Sequence, residues 1–212
     1  MKGTASWLRA HTWDTFLYVI PAGGLSPRKR GAVVGLQGGT ERVRRISDEL
    51  ESLGTPTAAL WLQDWVGQRQ TSFGTQLWWN WELDMDHYPN WSSLREGLEE
   101  KNIKLMTYIN PYLCDDGSDN EGRRCNLFEE ANRSDYLVKN PKGEPYRIRI
   151  SSFSAALVDL TNPEAWNWTK DIIKEELIGN GTSGWMADFG EGLPYDAVLF
   201  SGADPKTYHN RY

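Results

Sequence analysis

The sequence of 212 residues has few of the features that mark nucleic-acid, membrane or metal proteins. It has no run of basic residues and its formal net charge is −6, so nucleic acid is not an expected partner. No apolar run reaches the ~18 residues that a membrane-spanning helix needs. The three histidines are scattered and the two cysteines form no CxxC pair, so no metal site is predicted.

Nucleotide-binding loops are missing as well. The glycine-rich segment Gly35–Gly39 does not have the spacing of a dinucleotide-binding turn, and no Walker loop occurs, so no cofactor is predicted. Cys114 and Cys125 lie in a polar segment and could form a local disulfide or remain reduced thiols.

Asn-x-Ser/Thr sequons slightly favour a secretory or extracellular protein, although a cytoplasmic one stays possible. They begin at Asn90, Asn132, Asn167 and Asn180. The sequence leaves the localisation and the oligomeric state open.

Aromatic residues are abundant, with 11 Trp and 9 Tyr. Pyranose rings stack their C–H faces on such side chains, while sugar hydroxyls need polar partners. Most of these Trp residues are expected in the core, but the consecutive aromatics of Trp78–Trp81 cannot all point into one core. This composition favours a small-molecule glycoside as the ligand.

Apolar runs alternate with segments of helical period. Strands are predicted at 31–36, 58–62, 103–109, 155–159 and 185–187, and helices at 40–53, 91–100 and from 161 onward. Thr40 is a candidate N-cap and Gly54 a candidate C-terminal cap of the first helix. The alternation predicts a parallel sheet, which doubly wound and barrel folds both contain.

Polar residues follow four of the predicted strands, namely Gln37, Gln63, Asn110 and Asp188. In a (β/α) barrel such strand ends converge on one mouth, where catalytic groups lie. The run Trp185–Ala187 ends in the carboxylate of Asp188 between apolar neighbours, which predicts a partly desolvated acid. By spacing alone, an aspartate after a strand more often forms a turn or caps a helix.

Several motifs together resemble glycoside hydrolase family 31, and most of all its sulfoquinovosidase branch, whose retaining enzymes release sulfoquinovose from α-glycosides. The motifs are Trp61–Trp65, Gly67–Gly74, Thr161–Glu164 and Trp185–Glu191. The last of them, Trp-Met-Ala-Asp-Phe-Gly-Glu, has the form of that branch around the nucleophile.

The resemblance implies an α/β fold, a partial (β/α)8 TIM barrel comprising roughly the first half of the strands. Residues 31–212 would form this incomplete catalytic barrel, with a loop insertion at about 113–154 that carries a hairpin near Gly143. Residues 1–30 would be a short β-rich lead-in, the remnant of an N-terminal β region.

The resemblance also assigns roles to single residues. Asp188 corresponds to the nucleophile that attacks the anomeric carbon. Gln37 and Gln63 correspond to the glutamines that bind sugar hydroxyls, and Trp79 to the tryptophan that borders the sulfonate. Glu191 lies close enough to Asp188 to be a further substrate-binding candidate.

One position departs from the branch. Where it has the arginine that pairs with the sulfonate, this chain has Gln76, which lacks the charge and the fork of a guanidinium. Arg69 is the nearest substitute in sequence. Sulfoquinovosides and neutral α-hexosides therefore both remain candidate substrates.

A second carboxyl group, the acid/base, is needed by a retaining glycosidase. The resemblance places it on a later strand, and Asp196 and Asp204 lack its motif context. We therefore expect a fragment of a retaining α-glycosidase that is inactive by itself. The alternative is a truncated or degenerate non-catalytic member that at most binds glycosides.

Overall fold

The computed structural model describes residues 17–19, 31–71, 74–115, 126–150 and 153–209. Its strands are β1 (Leu17–Val19), β2 (Ala32–Leu36), β3 (Thr57–Leu62), β4 (Gln68–Thr71), β5 (Gly74–Leu77), β6 (Lys104–Ile109), β7 (Tyr112–Asp115), β8 (Arg147–Ile150), β9 (Phe153–Leu157) and β10 (Trp185–Ala187). Its helices are α1 (Gly39–Ser52), α2 (Trp91–Glu100), α3 (Leu127–Arg133), α4 (Pro163–Ile172) and α5 (Pro205–Tyr208).

The largest sheet in the described residues has the strand order β1-β2-β3-β6-β10. β1 is antiparallel to β2, whereas β2, β3 and β6 are parallel, with Leu36 paired to Leu62 at one end. β10 continues in the same direction, because Ser183 N donates to Leu105 O and Thr107 N donates to the next carbonyl along, that of Gly184. Parallel strands that alternate with helices confirm the predicted part of a (β/α)8 barrel.

The first helix starts one residue before its predicted beginning. Its N-cap is Gly38, which has a φ of 103°, and the helix begins at Gly39. The prediction that Thr40 caps it is wrong: the Thr40 hydroxyl donates to Pro89 O at 2.7 Å instead. Two successive glycines with positive φ make this earlier start possible. Gly54, with a φ of 66°, follows the helix as predicted.

The helix after β9 begins as the Thr161–Glu164 segment predicts. The Asn162 side chain accepts a hydrogen bond from Glu164 N, and Pro163 occupies the first turn. A π-helical turn, Ile173–Ile178, extends α4 toward β10.

The predicted loop insertion contains regular structure. β7, β9 and β8 form an antiparallel sheet in that order, and α3 lies between β7 and β8 in the chain. The predicted strand at 155–159 corresponds to β9, which belongs to this sheet and not to the parallel one. The predicted turn is present, since Gly143 has a φ of 84° between the bridged residues Lys139 and Pro145.

The chain divides into two compact units, each with its own core. The first comprises residues 1–67, 83–108 and 177–186, and its buried side chains include Leu36, Val43, Leu60, Leu62 and Tyr108. The second comprises residues 68–82, 109–176 and 187–212, and its buried side chains include Leu113, Phe128, Val138 and Leu157. Of the predicted lead-in over residues 1–30, the structure describes β1 alone, and this domain boundary stays a prediction.

Candidate active site

The predicted nucleophile stands directly after a strand of the parallel sheet. Asp188 follows the last residue of β10, and its backbone N–H donates to Ile109 O at 3.1 Å. Its side chain is exposed, so the expected partial desolvation of this carboxylate is not found. The neighbouring Phe189 has a φ of 57°, which turns the chain away immediately after the acid.

Phe189 belongs to an aromatic cluster in the second unit. Its ring centre lies 5.8 Å from that of Trp79 and 6.2 Å from that of Tyr112. Trp79 stacks on Tyr112 at 5.4 Å and meets Phe153 edge-on at the same distance. The cluster therefore places Trp79, a predicted substrate-site residue, against the residue that follows the predicted nucleophile.

The Trp78–Trp81 segment is buried except for its first residue. Trp79 and Trp81 are 7% and 2% exposed, and Trp81 Nε1 donates to Tyr112 O. Trp78 is half-buried. Of these three tryptophans, two are thus packed as core side chains, as the sequence led us to expect for most Trp residues.

Glu191 lies in the short 3₁₀ turn Gly190–Gly192 that follows Phe189, and its side chain is exposed. Tyr112 Oη donates to Gly192 O at 3.2 Å and ties this turn to β7. Burial, and secondarily the charge of Glu191, raise the pKa of the Tyr112 hydroxyl. An added Cβ at Gly192 would overlap that hydroxyl, so glycine at this position allows Tyr112 to approach the backbone of the turn.

Arg69 and Gln76 occupy opposite positions in the β4–β5 hairpin. The guanidinium carbon of Arg69 lies 3.7 Å from the ring centre of Phe153 and 4.6 Å from that of Trp78. Its Nε and one Nη are buried, with no hydrogen-bond partner in the described part of the chain. Arg69 therefore brings a positive charge next to Gln76, but aromatic rings cover much of the guanidinium.

The two predicted hydroxyl-binding glutamines are joined in the first unit. Gln37 and Gln63 follow the paired ends of β2 and β3, and Gln37 Nε2 donates to Gln63 Oε1 at 2.5 Å. Both side chains are half-buried. The bond fixes the orientation of one amide relative to the other. Asn110 is buried in the second unit, where its side chain accepts from Tyr112 N.

A buried carboxylate that sequence reasoning missed lies beside this pair. Asp64 is 0% exposed and accepts hydrogen bonds from Gly38 N at 2.7 Å, from His87 Nε2 at 2.6 Å and from Tyr88 Oη. Because Gly38 follows Gln37 directly, the carboxylate anchors the turn that carries one of the two glutamines. The signal available in the sequence was a charged residue right after Gln63.

The charge of Asp64 changes the pKa values of its two side-chain donors, His87 and Tyr88. Its hydrogen bond is the main cause that raises the pKa of the His87 imidazole, against an opposing effect of burial. Burial is the main cause that raises the pKa of Tyr88 well above its usual value, and the carboxylate adds to this effect. Both shifts favour the protonated donor, which keeps the network hydrogen-bonded.

Within the described ranges, no group of three or more His, Cys, Asp and Glu side chains is placed to hold a metal ion. No described helix combines the length and apolarity needed to cross a membrane. Cys114 is buried, while Cys125 lies outside the described residues, so their predicted alternatives are not tested.

Comparison with known proteins agrees with the fold and the motifs. The family model for the glycosyl hydrolases family 31 TIM-barrel domain matches residues 33–212. The sulfoquinovosidase of Escherichia coli (strain K12) is 38% identical over 182 residues, which is 86% of this chain and 26% of that protein. An alpha-xylosidase of Emericella nidulans is 31% identical over 136 residues, 64% of this chain and 16% of that protein.

Among solved structures, a family 31 sulfoquinovosidase from E. rectale, in complex with the aza-sugar inhibitor IFGSQ, is similar to this chain. The TM-score is 0.76 and the identity 40%, over 87% of this chain and 27% of that one. This chain thus spans about a quarter of the length of these sulfoquinovosidases. The chain belongs to glycoside hydrolase family 31, with its similarity to the sulfoquinovosidase branch confirmed.

Proposed function

We propose that this chain is the nucleophile-bearing part of a retaining α-glycoside hydrolase that acts on sulfoquinovosides or related α-hexosides. The observation that carries the proposal is Asp188, which directly follows a parallel strand inside the motif Trp185–Glu191. The strand-end position is where barrel enzymes place catalytic carboxylates. Relatives named sulfoquinovosidase and alpha-xylosidase support the substrate class.

In this mechanism Asp188 attacks the anomeric carbon and displaces the aglycone, which gives a covalent glycosyl-enzyme. Water then attacks the anomeric carbon from the face that the aglycone left and breaks the bond to Asp188, so two successive inversions retain the configuration. The carboxylate of Asp188 is exposed, and an attacking group must be accessible to the substrate.

The remaining roles concern the sugar. We assign hydroxyl recognition to the amides of Gln37 and Gln63, whose mutual hydrogen bond supports a fixed orientation. We assign one wall of the sugar site to Trp79 and place Gln76 toward the substituent at C6. Arg69 lies opposite Gln76 and would attract a sulfonate there, although its aromatic contacts favour a positioning role over direct pairing.

The acid/base is not assigned to a residue of this chain. Asp196 accepts a hydrogen bond from Tyr146 Oη at 2.8 Å, and Asp204 caps α5 by accepting from Lys206 N. Both carboxylates thus have local structural roles. Glu191 lies three residues after Asp188 in the adjoining turn, whereas the two carboxyl groups of a retaining enzyme flank the scissile bond, so we do not assign the acid/base to it. We therefore propose that the isolated chain does not turn over α-glycosides.

The experiment treats the chain with cyclophellitol-type inactivators of sulfoquinovose and glucose configuration, followed by intact-mass and peptide analysis. Opening the strained inactivator ring needs little help from an acid, so the nucleophile is tested separately from the missing group. We expect one adduct, on Asp188, that is absent in Asp188→Asn and present in the matched control Asp196→Asn.

An adduct on any other carboxylate would refute the assignment of Asp188. No adduct, combined with saturable binding of sulfoquinovose or glucose, would favour the non-catalytic alternative. Repeated turnover of a nitrophenyl α-glycoside by the purified chain would contradict the proposed lack of an acid/base. Glu191→Gln would then show whether Glu191 is that group.

A further inference from the structure

Phe189, which directly follows the proposed nucleophile, has a backbone conformation that its side chain does not favour. Its φ of 57° and ψ of 18° lie in the left-handed region. A bulky side chain there is an outlier, because its Cβ crowds the backbone. Glycine adopts this conformation without strain, and the same turn contains Gly190 and Gly192. Backbone preference therefore does not explain a phenylalanine at this position.

Burial does not explain the residue either. Phe189 is 39% exposed, so its ring gains only part of the free energy that full burial of an aromatic side chain provides. Strained backbone conformations cluster at active sites, where the surrounding contacts hold them in place. The position of Phe189 next to Asp188 points to a role in the reaction.

Trp81 provides a second, independent observation. Five described residues other than glycine have a positive φ, and three of them are of the types that tolerate it: Asn90, Asn102 and Asp135. The other two, Trp81 and Phe189, are bulky aromatics, and both contact Tyr112. Trp81 Nε1 donates to Tyr112 O at 3.1 Å, and the ring centres of Phe189 and Tyr112 lie 6.2 Å apart. Two unfavourable backbone conformations thus converge on one tyrosine of β7.

Contacts at both ends hold the 3₁₀ turn that Phe189 starts. The Phe189 ring packs on Trp79 at 5.8 Å and edge-on against Tyr112, distances at which aromatic pairs attract each other. Tyr112 contacts the turn a second time through its hydroxyl, which donates to Gly192 O at 3.2 Å. Gly192 N donates to Phe189 O at 3.1 Å and closes the turn.

Asp188 is thereby held from both sides within the second unit. Its own backbone N–H donates to Ile109 O at 3.1 Å, and the residue that follows it is held by the aromatic contacts. The direction of the Asp188 side chain depends on this backbone. An attacking group must be held close to its reactive geometry, since small displacements slow the reaction strongly.

We propose that Phe189 is a positioning residue for Asp188. Its ring, packed on Trp79 and Tyr112, holds the left-handed backbone that directs the carboxylate toward the anomeric carbon. Because Trp79 is also the proposed wall of the sugar site, the same contact fixes that wall relative to the attacking group. This inference rests on the proposed role of Asp188 as the nucleophile.

The test measures how fast the whole chain forms the Asp188 adduct with a cyclophellitol-type inactivator, by intact mass at several inactivator concentrations. The analysis separates KI, which reports binding, from kinact, the rate of bond formation. Phe189→Asn tolerates the left-handed backbone but removes the ring, and we expect it to lower kinact about tenfold or more while KI stays close to that of the unmodified chain. Phe189→Tyr keeps the ring and should retain both constants.

The matched control is Phe200→Asn, which removes another exposed aromatic ring from the second unit. Among the described contacts, the Phe200 ring does not meet Trp79 or Tyr112. This substitution should leave both constants unchanged. A purely structural role of Phe189 would likewise leave kinact unchanged in the folded variant.

Unchanged kinact in Phe189→Asn, or an equal loss in Phe189→Tyr, would overturn the inference. A rise in KI alone would show that the ring contacts the sugar and does not position the acid. If Phe189→Asn does not fold, Phe189→Leu replaces it, and unfolding of both would show a structural role only. Absence of an Asp188 adduct in the unmodified chain would refute the nucleophile together with this inference, whereas unchanged kinact refutes the inference alone.

Discussion

Arg69 faces Gln76 across the β4–β5 hairpin. Gln76 stands where the resemblance to sulfoquinovosidases leads one to expect an arginine. The guanidinium of Arg69 lies over the ring of Phe153 and over that of Trp78. The hairpin thus has a cation on β4, at Arg69, and a neutral amide at the opposite position of β5, where a second cation would strengthen the binding of a sulfonate. The preference for a sulfonated or a neutral sugar can therefore be tested at these two residues.

Replacing Gln76 by arginine should raise the preference for a sulfonated over a neutral sugar. A guanidinium can pair bidentately with a sulfonate, which an amide cannot. We expect the ratio of sulfoquinovose to glucose affinity, or of kcat/KM where turnover is found, to rise about tenfold or more, equivalent to ~1.4 kcal/mol. Thr75→Arg, on the adjacent residue of β5, is the control with the same added charge.

The same substitution places two positive charges directly opposite each other, so Gln76→Arg should also lower stability slightly. A strong sulfonate preference of the unmodified chain that Gln76→Arg does not change, but Arg69→Ala removes, would assign the sulfonate to Arg69. A sulfonate preference that survives both substitutions would show that neither residue contacts the sulfonate.

Asp64→Asn should destabilise the first unit strongly. The buried carboxylate accepts from Gly38, His87 and Tyr88, and an amide cannot accept all of these hydrogen bonds. Leaving buried donors without an acceptor should cost about 3 kcal/mol in the free energy of unfolding. Urea denaturation measures this loss. Asp86→Asn, an exposed aspartate nearby, is the control and should change the stability by less than about 0.5 kcal/mol.

Stability should fall as the pH rises from near neutrality, because Asp64 raises the pKa of His87 in the folded state. The folded protein therefore retains a proton that the unfolded chain releases above its ordinary pKa of about 6.5. The contribution is complete below that pH and is lost as the pH rises through the folded-state pKa. Denaturation midpoints measured between pH 5 and 9 should show this slope in the unmodified chain.

His87→Gln should remove that part of the pH dependence, since glutamine does not titrate. His209→Gln is the matched control, because the His209 ring contacts the Leu193 carbonyl oxygen and no carboxylate among the described contacts. An unchanged slope in His87→Gln would contradict the role of the Asp64–His87 pair in the pH dependence.

Gly192→Ala should destabilise the second unit, because the new methyl group overlaps the Tyr112 hydroxyl. Forcing apart the turn and β7 also breaks the hydrogen bond from Tyr112 to Gly192 O, and we expect a loss of about 2 kcal/mol. Tyr112→Phe removes the overlapping oxygen. In a double-mutant cycle, Gly192→Ala should therefore cost clearly less in the Tyr112→Phe background. Strictly additive effects would argue against this steric explanation.

The sequence was sufficient for the parallel strand–helix order and for the positions of Gln37, Gln63 and Asp188 after their strands. Such features depend on local signals: apolar runs, helical period, and caps such as that of Asn162. Thr40 shows the limit of these signals. It has the side chain of an N-cap, but the preceding glycines adopt positive φ and start the helix before it.

Only the tertiary structure decided which distant residues meet. Nothing in the spacing of Asp64 and His87 predicts their hydrogen bond, and nothing in the sequence places Phe153 against Arg69. Likewise, the antiparallel pairing of β9 was set by β7 and β8, not by its own apolar residues. Contacts of this kind depend on how whole elements pack, because the free energy of burial and hydrogen bonding is shared among segments far apart in the chain.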